Sequence, residues 1–349
     1  MRKLHFTRVD GRACFADVTK RAAKNGPSAT PAAELPADLA GDAELRLVAR
    51  RVKARDGRRA SAFKGAPKPA SSFHSELRRC SLLRTDWSAA GAQLAVDWSS
   101  PELRLEFCIG RETVFAGRSA PAVHVDGTLR RQTTDWNEVV WLSDVDADYL
   151  EIETELTGGV RLQRQFLLTR RDGWLYTADV VFLDKPGDVE ARLTLPCVAK
   201  AGFTPAEETC EATLAVGRRQ LAVVPPGLAE WRSANRQGTL TAADGELALT
   251  MSARQARALY APLAVQFDAA RVRKPLTWRR LTVGENLAIV PADRAVGYRL
   301  QLGREHWLVY RSLTPRANRS VLGVNLQTDF LFSQFTTDGE SEPLIEIEN

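Results

Sequence analysis

Between Trp136 and Asp184 apolar and polar positions alternate in one short run after another, each separated from the next by a turn signal. Val139-Val140-Trp141-Leu142 is followed by Tyr149-Leu150-Glu151-Ile152-Glu153-Thr154-Glu155-Leu156, where apolar and acidic residues alternate with the period of a strand buried on one face. Gly158-Gly159, a pair that tolerates positive φ, leads into Val160-Arg161-Leu162-Gln163-Arg164-Gln165-Phe166-Leu167-Leu168, and Arg171-Asp172-Gly173 leads into the run from Trp174 to Leu183. The pattern predicts an antiparallel β-meander. Pairing about the Arg171-Asp172-Gly173 turn brings Arg164 close to register with Asp179, which predicts a cross-strand ion pair.

From residue 82 onward, short runs with β-branched or aromatic residues recur at about the 8–12-residue spacing of sandwich folds. Strand candidates outside the meander include 103–109, 112–117, 121–126, 189–198, 211–217, 219–225, 247–251, 263–267, 276–283, 286–290, 295–302, 306–313 and 320–327. A short helix is expected around Ser252 to Leu259. Residues 42–55 read as a helix capped by Asp42 or as a strand, and 25–41 and 57–70 read as irregular surface segments. The expected fold class is all-β, an antiparallel two-sheet β-sandwich or supersandwich over residues 85–349, preceded by a basic, partly irregular region over 1–84.

Arg161 and Arg164, then Phe166-Leu167-Leu168, a turn, Trp174-Leu175 and Asp179 before an apolar run, resemble a hairpin in the C-terminal β-domain of heparinase II/III-like polysaccharide lyases. Trp141-Leu142-Ser143-Asp144 to Glu153 is similar to the strand pair that precedes it. The resemblance covers residues 85–230 and implies a β-supersandwich related to galactose-mutarotase-like sandwiches. In that family the domain packs beside an α/α-toroid that supplies much of the catalytic machinery. The first 85 residues are too few for such a toroid, and no His-rich run opens the β-domain. The resemblance therefore implies the fold, and a carbohydrate-associated module more than a lyase.

The 44% apolar and 26% charged residues are those of a soluble globular chain. No apolar run approaches the ~18 residues of a membrane span, and the basic N-terminus lacks an apolar h-region, so a cytoplasmic protein with no membrane partner is expected. Five scattered cysteines without C-x-x-C spacing point to reduced thiols, with Cys108 packed in a core strand. The positive charge is concentrated at one end: residues 1–87 carry 19 basic and 9 acidic side chains, the remainder 29 and 34. That quarter has no helix-turn-helix, RNP-type or zinc motif, so an acidic polysaccharide is a better partner for it than nucleic acid. G-x-S-x-G, Walker A, G-x-G-x-x-G and HExxH patterns are all missing, and no cofactor is expected.

Candidate chemistry is sparse. Only four histidines exist. His306 and Tyr310 share a face of one expected strand about 13 Å apart, at ~3.3 Å per residue, which suits two sides of a sugar ring and not a hydrogen-bonded dyad. They are the catalytic candidates. His124, Trp136, Arg161, Arg164, Trp278 and Arg279 are the ligand-binding candidates, since sugar CH faces stack on Trp while Arg takes carboxylates. Asp144, Asp146 and Asp148 have D-x-D-x-D spacing that aims carboxylates at calcium when the backbone curls, but a solvated turn is the favoured reading because the accompanying glycine and distal Glu are misplaced. The preferred function is a non-catalytic module that associates with acidic polysaccharide. The alternatives are a sugar-active enzyme of lyase or epimerase type and a scaffold without a small ligand.

Overall fold

A computed structural model describes residues 8, 14, 15, 71–336 and 338–348. The expectations for 25–41, 42–55 and 57–70 lie outside the described residues. The chain divides into two compact units, one spanning residues 1–119 with 195–199, the other 120–194 with 200–349.

The first unit holds one antiparallel sheet of β1 (Phe73–Ser75), β2 (Cys80–Arg84), β3 (Ala92–Asp97), β4 (Leu103–Ile109) and β5 (Glu112–Ser119), each bonded to the next. Arg84 pairs with Gln93, so residue 84 belongs to the same sheet as the strands after it. Cys108 is 1% exposed and acts as a core residue. Glu106 on β4 is buried, yet its charge is met. It accepts Arg8 Nε and Nη2 at 2.8 Å each and the Phe15 backbone N–H at 2.6 Å. Cys14 and Phe15 then pack against Leu82 and Ala95. Arg8, at 2% exposure, is thus a structural residue and not a solvated charge.

Removing one partner of a buried ion pair leaves the other uncompensated. Glu106→Ala is expected to cost about 3–5 kcal/mol, measured by urea unfolding. An unchanged unfolding midpoint would show that the Arg8–Glu106 pair contributes nothing.

The second unit contains β6 (Val123–Val125), β7 (Thr128–Arg130), β8 (Asn137–Ser143), β9 (Ala147–Leu156), β10 (Val160–Thr169), most of β11 (Trp174–Pro196), β12 (Gly202–Pro205), β13 (Ala212–Val216), β14 (Arg219–Val224), β15 (Gly238–Ala243) and β16 (Glu246–Gln266) in one sheet. Its main path runs β12-β13-β14-β16-β11-β10-β9-β8, with β15 on β16 and the β6/β7 hairpin on β11. A second sheet has the order β17 (Leu276–Leu281), β20 (Ala295–Leu302), β21 (Glu305–Ser312), β24 (Phe330–Phe335), β25 (Ser341–Ile347). A small third one has the order β19 (Ala288–Ile289), β18 (Gly284–Glu285), β22 (Arg319–Val321), β23 (Val324–Leu326).

Alternation decides which faces meet. Odd positions of β21 turn toward the large sheet: Trp307 meets Trp174 edge-on at 5.4 Å, and Arg311 reaches Glu151. Phe330 and Phe332 of β24 pack on Tyr149 and Tyr176. Even positions of β21 turn the other way, where Leu308 and Tyr310 join Val283, Val290, Val321 and Leu326 in a core under the small sheet. The protein is all-β, as the alternation predicts.

Two local expectations are corrected. Residues 252–259 are not a helix but the middle of the 21-residue β16. Their Ala, Arg, Gln and Leu favour a helix intrinsically, but pairing beside β11 overrides a preference worth only tenths of a kcal/mol per residue. The run 320–327 is two strands, because Leu322 and Gly323 both take positive φ and turn the chain back. The only helical segment among the described residues is a single 3-10 turn at Glu76–Arg78, and none is long and apolar enough to cross a membrane.

Candidate functional site

At one end of the second unit the large sheet and the second sheet part, and a cleft of about 760 Å³ opens between them. Its floor is set by register. Arg161 on β10 stands opposite Glu155 on β9 and Phe182 on β11, all on the inward face. The Arg161 guanidinium lies 4.4 Å over the Phe182 ring, and its Nη1 is 3.3 Å from Glu153 Oε2. The Gly158-Gly159 turn closes this end of the hairpin with both residues at positive φ. A Cβ on Gly159 would strike the Asp184 carboxylate, so glycine is what lets that acid sit at the rim.

Two further arginines come from elsewhere in the chain. Arg257 lies just beyond a bend in β16 where Gln255 has φ 47°. The Asp188 carboxylate fixes that bend by accepting the Gln255 backbone and side-chain N–H groups at 3.0 and 3.3 Å. The Arg257 backbone N–H donates to Asp293 Oδ2 at 3.1 Å, and its Nη1 to the Asp184 carbonyl at 3.2 Å. Arg294, from the segment before β20, has Nη2 3.5 Å from Glu285 Oε1. Glu285 is held below the usual carboxylate range mainly by its hydrogen bond from Arg319. Pro291, Leu313 and Pro315 complete an apolar wall.

A buried polar seam braces the cleft from inside. Glu153 Oε2 also accepts Gln163 Nε2 at 3.1 Å, and Gln163 Oε1 accepts Arg311 Nη2 at 2.7 Å. Arg311 donates to both oxygens of Glu151, at 2.6 and 3.2 Å. The Tyr149 hydroxyl donates to Glu151 and accepts from Gln165 Nε2 at 2.7 Å. Gln165 Oε1 accepts the Tyr260 hydroxyl at 2.8 Å, and Tyr260 and Tyr176 share a bond of 2.7 Å. Each side chain of this seam thereby finds a partner, as burial requires, although Arg311 Nε itself has no acceptor.

The structure scatters the other predicted residues. Tyr310 is 1% exposed and its hydroxyl accepts Arg319 Nη1 at 3.2 Å beneath the small sheet, while His306 stands half-buried farther along β21. They share a face but not a site. Burial first, then the Arg299 charge, push the His306 imidazole below its ordinary pKa. His124 is on the β6 edge opposite Glu190, with Nδ1 4.0 Å from Oε1.

Trp136 and Trp278 are sealed in the interior, and Trp278 Nε1 donates to the Leu228 carbonyl at 2.9 Å, so neither ring offers a face to a sugar. Arg164 is buried opposite Asp179, donating at 2.6 and 2.8 Å. The predicted cross-strand pair exists, but it is a core pair and Arg164 does not reach a ligand. Arg279 is exposed on β17. Asp144, Asp146 and Asp148 do not converge: Asp144 Oδ1 accepts the backbone N–H groups of Asp146 and Ala147, and Asp148 takes Ser143 and Arg170. Among the described residues no group of three acids, histidines or cysteines could hold a metal ion. Arg161 is thus the predicted binding residue that reaches the cleft. Arg257, Arg294 and Phe182 carry no periodic signal that marks them, because a bend and a connection bring the two arginines there.

The fold is similar to that of part of heparinase III structures. The crystal structure of the heparan sulfate lyase HepC from Pedobacter heparinus superposes with a TM-score of 0.58 at 12% identity, over 88% of this chain and 51% of that one. The heparinase III BT4657 gene product gives 0.51 at 11% identity, over 77% and 45%. This chain therefore spans about half the length of the solved structures it matches. No family model and no curated protein sequence matches it. The resemblance carried by residues 141–179 holds at the level of the fold, which at these identities is what the likeness establishes.

Proposed function

We propose that this chain is a β-sandwich module that binds an acidic polysaccharide, without cleaving it, in the cleft of Arg161, Arg257 and Arg294. The observation that carries the reading is the lining itself. Three guanidinium groups suit uronate or sulfate groups, the Phe182 edge and the proline faces suit sugar CH surfaces, and Glu155, Asp184 and Asp293 can accept from hydroxyls. The likeness to heparinase III, a family of sugar-polymer enzymes by its name, supports the same class. A binding role is preferred to catalysis because the cleft lining contains no His or Tyr, and His306 and Tyr310 lie on the far face of β21.

The test is retention and calorimetry on heparan sulfate and on a uronic-acid polymer without sulfate. A charge-assisted hydrogen bond contributes about 1.5–3 kcal/mol, so Arg161→Gln or Arg294→Gln should each weaken binding roughly tenfold or more. Binding should also fall as salt shortens the Debye length from ~10 Å at 0.1 M to ~3 Å at 1 M. Salt-insensitive binding that survives both substitutions would overturn the assignment of the cleft. Accumulation of unsaturated uronate products would overturn the non-catalytic part alone.

A further inference from the structure

Pairing of β17 with β20 sets Arg279 directly opposite Arg299, and both point to the outer face of the second sheet. On the next strand, His306 stands opposite Gln301 and Leu308 opposite Arg299, so His306 is the diagonal neighbour of Arg299 on that face. Like charges directly opposite each other in a sheet are destabilising. Three buried arginines on strands of this unit are matched: Arg164 with Asp179, Arg311 with Glu151, Arg319 with Glu285.

Neither Arg279 nor Arg299 forms an ion pair among the described residues, and the Arg299 Nε is shut off from solvent with no acceptor. The flanking Gln301 amide turns away to the Gly303 carbonyl. Two guanidinium groups and an imidazole therefore stand on three adjacent strands, ~4.8 Å apart from one strand to the next, as a set of N–H donors of which Arg299 Nε is closed off even from water. A planar carboxylate satisfies two donors from one edge, whereas a tetrahedral oxyanion presents oxygens to all three.

We propose that Arg279, Arg299 and His306 form an oxyanion site for a sulfate- or phosphate-type group, separate from the cleft of Arg161. An anion between the arginines converts their repulsion into two charge-assisted contacts, and the imidazole supplies a third donor from the next strand.

The experiment compares thermal unfolding of the full chain in sodium sulfate and in sodium chloride at matched ionic strength. Sulfate stabilises most proteins by exclusion from their surface, so the site is read as the difference between wild type and variant. Arg299→Gln and Arg279→Gln should each unfold at higher temperature than wild type in chloride, because the repulsion is relieved, and should lose at least half of the extra gain in sulfate. His306→Asn should lose part of that gain. The double variant Arg161→Gln/Arg294→Gln should keep it, which separates this site from the cleft.

On wild type alone, sulfate and phosphate should shift the His306 ring resonances saturably, and acetate should not. A response to heparin fragments but not to the free ions would still support the site and place its oxyanion on a saccharide. Equal sulfate gains in wild type and Arg299→Gln together with His306 resonances that ignore all of these ligands would overturn the proposal whatever the cleft binds.

Discussion

Arg311→Met is expected to destabilise the second unit by about 3–5 kcal/mol, the usual cost of leaving a buried charge without its partner. Arg311 crosses from the second sheet to Glu151 on the large one, and both side chains are nearly or fully excluded from water, at 5% and 0% exposure. Without the guanidinium, the Glu151 carboxylate keeps only Tyr149 and Gln165 as donors. Gln163 loses the same partner, and with it the bridge from Glu153 into the core. The effect should therefore reach the cleft, loosening Arg161 through Glu153.

Urea unfolding of the single variants and of the double variant Arg311→Met/Glu151→Met separates the causes. The double variant should recover much of the loss, since replacing a whole buried pair by apolar groups is often neutral. Should Arg311→Met cost less than about 1 kcal/mol, the range of exposed pairs, the seam would have to be reached by water.

The seam also shows what was legible in the sequence. The meander could be read because period two coincides with turn chemistry: Gly158-Gly159 and Asp172-Gly173 mark the reversals, and β9 and β10 lie where alternation puts them. Pairing about the Arg171-Asp172-Gly173 turn even brought Arg164 close to its partner Asp179. Alternation did not distinguish which polar face is wet. Glu151 and Gln165 look like solvent positions of half-buried strands, yet a second sheet carrying Arg311 covers them, and that partner is 160 residues away in the chain. The tryptophans misled for the same reason. A Trp-Arg pair on a strand puts the two side chains on opposite faces, so Arg279 beside Trp278 marks the reverse side of a buried ring, and Trp136, in the connection before β8, is buried as well. Arg257 and Arg294 were illegible because the cleft depends on how β16 bends at Gln255, which Asp188 fixes from another strand.

Above pH 10 the protein should unfold steeply. Tyr149, Tyr176, Tyr260 and Tyr298 are all buried, and burial is the first cause lifting each phenol above its ordinary pKa. The Glu151 carboxylate adds to the rise at Tyr149, and the Tyr260 hydroxyl adds to it at Tyr176. A group whose pKa is raised in the folded state gives stability that is complete below its unfolded pKa, near 10 for tyrosine, and that is lost as pH climbs toward the folded value. Above pH 10 the unfolded chain sheds these protons while the folded chain keeps them. Each tyrosine then removes about 1.4 kcal/mol per pH unit, and the four together about 5–6 kcal/mol per pH unit.

Against a total stability of about 5–15 kcal/mol, such a slope brings the midpoint within roughly one to three units of pH 10. Tyrosinate absorbance and circular dichroism followed on one sample should therefore change together, in a single cooperative step. Tyr176→Phe removes one of the titrating groups and leaves Gln165 as the partner of Tyr260, so it should flatten the slope by about a quarter of the total. Gradual ionisation near pH 10 with the β signal intact would mean that the phenols are open to solvent, and the sealed interior between the two sheets would be refuted.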